Sequence, residues 1–235
     1  DPDHIQPDVN AENNAFSGQQ MDKTVTAASV IKAYFGAIGG IDKVRDIKDL
    51  TTTSEGTIQG TQIVRSNNYK MPDKFEQDIK VPQFGNAVFL HIAINGDSVS
   101  LKQQGRMQKV AGQEKGAVKA RYKLFPELDF DKPGYTVKLD DKYGIVNGAP
   151  VYLVTVTQPD GISVKYFYDA KTGLKVAQYA AVPNATHMEF SDYRDINTGV
   201  KIPFAEVNSI VGFPINYKVT GATANTNLSD DIFNK

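Results

Sequence analysis

The sequence predicts a mainly β protein built on one large antiparallel sheet, and three observations predict it. The run 135–182 reads as a meander of hairpins, with Val151, Leu153, Thr155 and Thr157 alternating against Tyr152, Val154 and Val156. Asp160-Gly161 turns the chain, Ile162, Val164, Tyr166 and Tyr168 alternate in their turn, and a Gly173-containing turn precedes Leu174, Val176 and Gln178. Such period-2 patterning between glycine turns is the signature of hairpin strands. The same pattern recurs on both sides of this run. One segment only, residues 24–38, carries a strong helical period.

In chain order, residues 1–21 are polar, contain two prolines and show no periodicity. They are expected to form a disordered arm, or a linker from an upstream domain. Residues 24–38 follow as a helix capped by Thr24, with Ile31, Tyr34, Phe35 and Ile38 on one stripe and Gly39-Gly40 as its stop. A short second helix is expected over 41–47, where Ile41, Val44 and Ile47 recur every three residues. Strands are expected over 50–59, 61–70, 74–81, 86–95 and 97–102, with Asn95-Gly96 as a hairpin turn. The stretch 103–121 is rich in Gln, Gly and Lys and reads as a long loop with a helical turn near 114–122. An apolar segment at 124–130, broken by Pro126, is expected to pack over an open sheet end. Strands resume at 135–143, 150–157, 162–169, 173–182, 186–195, 200–210 and 213–222. In the polar tail, Leu228, Ile232 and Phe233 are the residues able to dock its end. About a dozen consecutive antiparallel strands cannot stay flat, so the sheet must close or split into layers. The first helix and the insert are available to plug it.

Composition narrows the function. A length of 235 residues suits one large β domain or two small ones. With 26 basic and 27 acidic residues the net charge is −1, which supplies no broad field for nucleic acid or anionic membranes. No apolar run approaches the length of a membrane span. Cysteine is absent, which excludes disulfides, thiolate metal sites and cysteine nucleophiles.

Catalytic patterns fail one by one. His4, His91 and His187 stand apart, each without a carboxylate at a recognisable spacing, and read as isolated residues rather than metal ligands. No Gly-x-Ser-x-Gly elbow occurs, and Gly39-Gly40 follows a helix instead of opening one. Asp140-Asp141, Asp230-Asp231 and Asp129-x-Asp131 read as solvated charge. The expectation is a protein without catalytic residues, metal or cofactor.

Function then falls to the surface that the sheet makes. Val88, Leu90, Ile92 and Ile94 are expected to share one strand face, with Phe125 and Leu128 in the insert and Tyr166 and Tyr168 on a later strand. These eight form either an ordinary packed core or the lining of an apolar cavity beneath the helix and the 103–130 insert.

Three stretches carry a resemblance when taken in order. They are Val30-Ile31-Lys32-Ala33-Tyr34-Phe35-Gly36-Ala37-Ile38-Gly39-Gly40 with Ile47-Lys48-Asp49-Leu50, then Tyr69-Lys70-Met71-Pro72-Asp73-Lys74-Phe75, then Val146-Asn147-Gly148-Ala149-Pro150-Val151-Tyr152 running on to residues 166–174. Over residues 24–220 the arrangement resembles the outer-membrane lipoprotein-carrier superfamily, the LolA/LolB-like proteins. It is most similar to Bacteroidetes-type domains, some of which are appended to pitrilysin/insulinase-type zinc peptidases. The resemblance implies a strongly curved, incomplete β-barrel over 22–235 with a helical lid. It implies a periplasmic or outer-membrane location, and a lipid, lipoprotein or other apolar ligand in the concave face. Upstream peptidase domains are the alternative partners. No functional residue transfers from the family to a position in this sequence.

Overall fold

The computed structural model describes residues 21–181, 185–210 and 213–234, with only the backbone described at 209, 210 and 213. Apart from Met21, the expected arm lies outside the described residues. The amino-terminal helix α1 spans Ala27–Ala37 and α2 spans Ile41–Asp46. Six strands follow: β1 (Asp49–Ile58), β2 (Thr61–Lys70), β3 (Lys74–Val81), β4 (Ala87–Asn95), β5 (Ser98–Gln103) and β6 (Arg106–Gln108). After α3 (Gln113–Tyr122) and a helical turn at Pro126–Asp129 come β7 (Thr136–Leu139), β8 (Gly144–Val146), β9 (Ala149–Thr157), β10 (Ser163–Asp169), β11 (Lys175–Ala180), β12 (Thr186–Asp195), β13 (Lys201–Ile210) and β14 (Phe213–Ala224).

All fourteen strands join one antiparallel sheet. Its order is β6-β5-β4-β3-β2-β1-β14-β13-β12-β11-β10-β9-β7, with β8 also paired to β9. The chain therefore makes one meander outward from β1 to β6 and another from β7 back to β14. The two are sewn together where β1 pairs β14, Leu50 opposite Ala224 and Gly56 opposite Tyr217. The free edges are β6 and β7, so the barrel is incomplete. β6 is three exposed residues long, as suits an edge that must not recruit a further strand.

This topology decides where the insert runs. Residues 109–135 connect one free edge to the other, and they cross the inner face of the sheet on the way. Tyr122 of α3 stacks on Phe75 of β3, with ring centroids 4.6 Å apart. Phe125, 2% exposed, joins the main core. The insert is thus the lid over the inner face.

The main core lies between α1, α2 and the inner face of β7–β11. Val30 and Tyr34 of α1, Ile38 at its carboxyl-terminal cap and Val44 of α2 pack with Val154, Val156, Val164, Tyr166 and Tyr168. Burying each such side chain contributes about 1.5–3 kcal/mol. A smaller cluster of Val151, Leu153, Phe167 and Ala177 lies on the outer face of β9–β11. Gly39 ends α1 at φ +121, and a Cβ there would sit 1.9 Å from the Gly199 carbonyl oxygen, so only glycine fits. The Lys201 amide donates to the Ile38 carbonyl at 2.8 Å, which fixes the helix to β13.

Several local expectations are corrected. The cap of α1 is Thr26, not Thr24, because Ser29 three residues on completes a reciprocal capping box, 3.1 and 3.0 Å. Thr24 instead bonds to Asp22. The loop expected at 103–121 contains the edge strand β6. The strand expected at 135–143 ends at Leu139, and the chain rejoins β9 as β8 after the polar run Asp140-Asp141-Lys142. The tail docks through Phe233, 2% exposed, while Asp230 pairs with Lys70 and Lys74 at 2.6 and 3.1 Å.

Candidate functional site

The inner face changes chemistry across the β1–β14 seam. Cross-strand pairs Thr52–Asn67, Ser54–Arg65 and Asn67–Gln77 share that face on β1, β2 and β3. On β13, Glu206 and Asn208 extend it. Thr52, Ser54, Arg65, Asn67, Gln77 and Asn208 are all buried. Arg65 holds Glu206 through two hydrogen bonds, 2.8 and 3.0 Å, and lies over the Tyr217 ring at 3.8 Å. Burial opposes its charge, but the Glu206 carboxylate outweighs burial and keeps the guanidinium protonated. Arg121 reaches down from α3 to Asn208.

At the border with the apolar half, Glu127 of the Pro126–Asp129 turn has no exposed side-chain surface. It accepts from Lys175 Nζ and from the Tyr168 hydroxyl, both at 2.9 Å. Burial, then the charge of Glu127, pushes Tyr34, Tyr166 and Tyr168 far above the usual phenol range. Tyr168 is therefore a neutral donor to the carboxylate.

Three concavities surround this arrangement. A small interior cavity of about 100 Å³ lies between α3 and the polar half, and its walls include Arg65, Asn67, Arg121, Lys175, Gln178 and Glu206. A mouth of about 330 Å³ opens between α3 and the β2–β3 turn and shares Tyr69, Tyr122, Lys123 and Leu124 with that cavity. The largest is a groove of about 680 Å³ along the flank of α1 beside its core face. Ala27, Ala28, Ile31 and Phe35 form one wall, Gly40 and Ile41 one end, and Leu128, Phe130 and Val137 the other wall. Lys32, Arg45 and Asp131 stand at its rim. Apolar surface predominates, and the volume falls within the range of small-molecule sites.

The eight expected lining residues separate. Leu128 lines the groove. Phe125 lines the interior cavity, and Ile94 lines the mouth. Tyr166 and Tyr168 are packed in the main core, and Ile92 and Ile94 pack with Phe75 beneath α3. Leu90 is half-buried between that cluster and a neighbouring one. Val88 does not share their face. A bulge places Leu90 opposite Ile79 but Val88 opposite Lys80, so Phe89 is the extra residue and the alternation slips by one. Val88 turns to the other side of the sheet, 39% exposed.

Other charged groups that the sequence left isolated acquire partners. His91 is buried, and its Nδ1 lies 2.7 Å from Asp78 Oδ1 and 3.6 Å from Glu76 Oε1 on the outer face. Among the described residues these three are the group able to surround a metal ion, their ligand atoms lying within 4.8 Å of one another. The signal was a Glu-x-Asp pair on one face of β3, but its partner is set by the register with β4, which the sequence does not print. His187 pairs with Glu189 at 3.0 Å. Asp129 is buried against Lys123 and Lys132 and is not solvated charge.

No protein-family model and no curated protein matches the sequence. Solved structures do match it. A LolA superfamily protein from Nitrosomonas europaea is 12% identical, covers 90% of this chain and 98% of its own, and gives a TM-score of 0.56. A domain from Vibrio parahaemolyticus, crystallised as an outer membrane lipoprotein-sorting protein domain, is 12% identical over 88% and 95%, with a TM-score of 0.55. A DUF1329 family protein from Desulfovibrio piger is 13% identical over 88% and 96%, with a TM-score of 0.54. At these identities the likeness is one of fold: a LolA-type, mainly β, curved open sheet. It says nothing of Bacteroidetes-type domains or of peptidases.

Proposed function

We propose that this chain is a noncatalytic cell-envelope module that binds the acyl chain of a lipid or lipoprotein. The observation that carries the reading is the apolar groove of about 680 Å³ between α1, the Pro126–Asp129 turn with the residues after it, and β7. Apolar surface left concave and open is favoured to bind an apolar chain. Lys32 and Arg45 at the rim suit an anionic headgroup, and no ion pair engages either among the described residues. Of the expected lining set, Leu128 contacts the chain directly. Phe125, Tyr166 and Tyr168 belong to the packed core that supports the groove walls, while Leu90, Ile92 and Ile94 serve the lid. The shared fold with a lipoprotein-sorting domain supports this reading by analogy alone.

The test is native mass spectrometry with lipid extraction on the purified chain, alongside Ile31→Glu and Leu128→Glu. The expected result is retained fatty acid or phospholipid, reduced at least tenfold by either variant while circular dichroism stays unchanged. Wild-type protein that neither retains nor takes up lipid overturns the reading, as does retention that both variants leave intact.

A further inference from the structure

The interior cavity is a separate site with different chemistry. Five basic residues reach its walls, Arg65, Arg121, Lys123, Lys175 and Lys201, against one acid, Glu206. Arg65 is neutralised by Glu206, Lys175 by Glu127, and Lys123 by Asp129. Arg121 and Lys201 have no carboxylate partner among the described residues. In a chain of net charge −1, this concentration is local, with Arg65 and Lys175 buried and Lys201 at the exposed rim.

Unpaired hydrogen-bonding groups gather at the same place. Arg65 Nε, Arg121 Nε, Asn67 Oδ1 and the Tyr217 hydroxyl are buried without a partner among the described residues. Three of these four residues line the cavity, and the ring of Tyr217 lies directly beneath Arg65. Buried donors left unmade are costly, and each asks for an acceptor. Two guanidinium N–H groups, beside a cation lacking a counter-charge, call for an acceptor that is itself negative. Asn67 Oδ1 is an acceptor and calls for a donor, which a protonated oxygen of the group or a water supplies. A volume near 100 Å³ is too small for an acyl chain and suits a single small group.

We propose that the half-barrel interior is an oxyanion site that holds a carboxylate- or phosphate-sized group between Arg65 and Arg121. The group arrives either as a free ion or as the head of a larger molecule. In the second case the remainder lies in the mouth, between Tyr69, Phe75, Tyr122 and Leu124. Glu206 stays on Arg65 and restricts the site to one charge. The inference does not rest on the α1 groove.

Isothermal titration calorimetry at low salt tests it with four probes: inorganic phosphate, acetate, decanoate and short-chain phosphatidate. The expected result is binding of at least one probe, weakened tenfold or more by Arg121→Gln and several-fold by Lys201→Gln. Lys201 is exposed, so that variant leaves the fold intact if Arg121→Gln does not. Binding of phosphate or acetate identifies a free ion. Binding of decanoate or phosphatidate alone, lost in Arg121→Gln, identifies a headgroup. No binding of any probe to folded protein overturns the proposal and leaves the cavity to water. Decanoate binding abolished by Ile31→Glu but untouched by Arg121→Gln and Lys201→Gln also overturns it, and supports the groove reading alone.

Discussion

The two halves of the inner face obey one alternation and contain opposite chemistry. On β9 and β10 the inward positions are Val154, Val156, Val164, Tyr166 and Tyr168, all 3% exposed or less, under two helices. On β1 and β2 the middle of the inner face is Thr52, Ser54, Arg65 and Asn67, 6% exposed or less, with apolar Leu50, Tyr69 and Ile63 at its ends. Period 2 assigns residues to faces, but it does not say that the apolar face is the inner one. In the first half, burial of apolar area supplies the stability. In the second, every buried polar group depends on finding a partner, and the groups without one mark the place where something else can bind.

The widest test of this contrast sits at the border. Replacing Lys175 by Met leaves Glu127 buried without its cation, and the expected loss is about 4 kcal/mol in chemical denaturation. The double variant with Glu127→Gln should recover a large part of it. A loss below about 1 kcal/mol would mean that the pair is hydrated and that the border is not dry. In the apolar half, Ile38→Ala removes a side chain with no exposed surface and should cost about 3 kcal/mol. Its effect should be indifferent to salt, whereas the Lys175 variant's should not.

The seam between the halves gives a pH signature. Burial pushes the Asp49 carboxyl up, but hydrogen bonds from Thr226, Leu228 and Asn227 outweigh burial and hold it below the usual range. A depressed carboxyl stabilises the fold fully above its unfolded value of about 3.9 and loses that contribution as pH falls through the folded value. Asp49→Ala should therefore cost about 2 kcal/mol at neutral pH and little in strong acid. Hydrogen exchange at the amides of residues 226–228 reads the release of the tail directly. The smallest expected effect is at the cap of α1, where Thr26→Ala should cost about 1 kcal/mol, while Thr24→Ala, at the cap that the sequence suggested, should cost less than half of that.

The comparison also separates what the sequence made legible. The strands at 61–70, 74–81 and 186–195 agree with the structure to the residue, because each is bounded by turn residues. The helix stripe of Tyr34, Phe35 and Ile38 is legible because a 3.6-residue period is also local. The position of Val88 is not legible in the sequence because a bulge leaves no mark in an apolar run. His91 looks solitary in the sequence because Asp78 lies thirteen residues away and meets it only through the β3–β4 register. The polar interior is not legible in the sequence because Thr, Ser, Asn and Arg on a strand look like its solvent face.

By itself, then, the sequence determined what local rules control: a β meander, its turns, one amphipathic helix, and an insert that breaks the pattern. Backbone preference and side-chain period act over a few residues, so neighbours in the chain suffice to express them. Tertiary structure alone decided which distant strands close the seam between β1 and β14, and hence that the insert must cross the inner face from edge to edge. It also decided which charges meet there. Pairings such as Arg65 with Glu206, 141 residues apart, depend on the curvature and register of the whole sheet, and no local pattern encodes them.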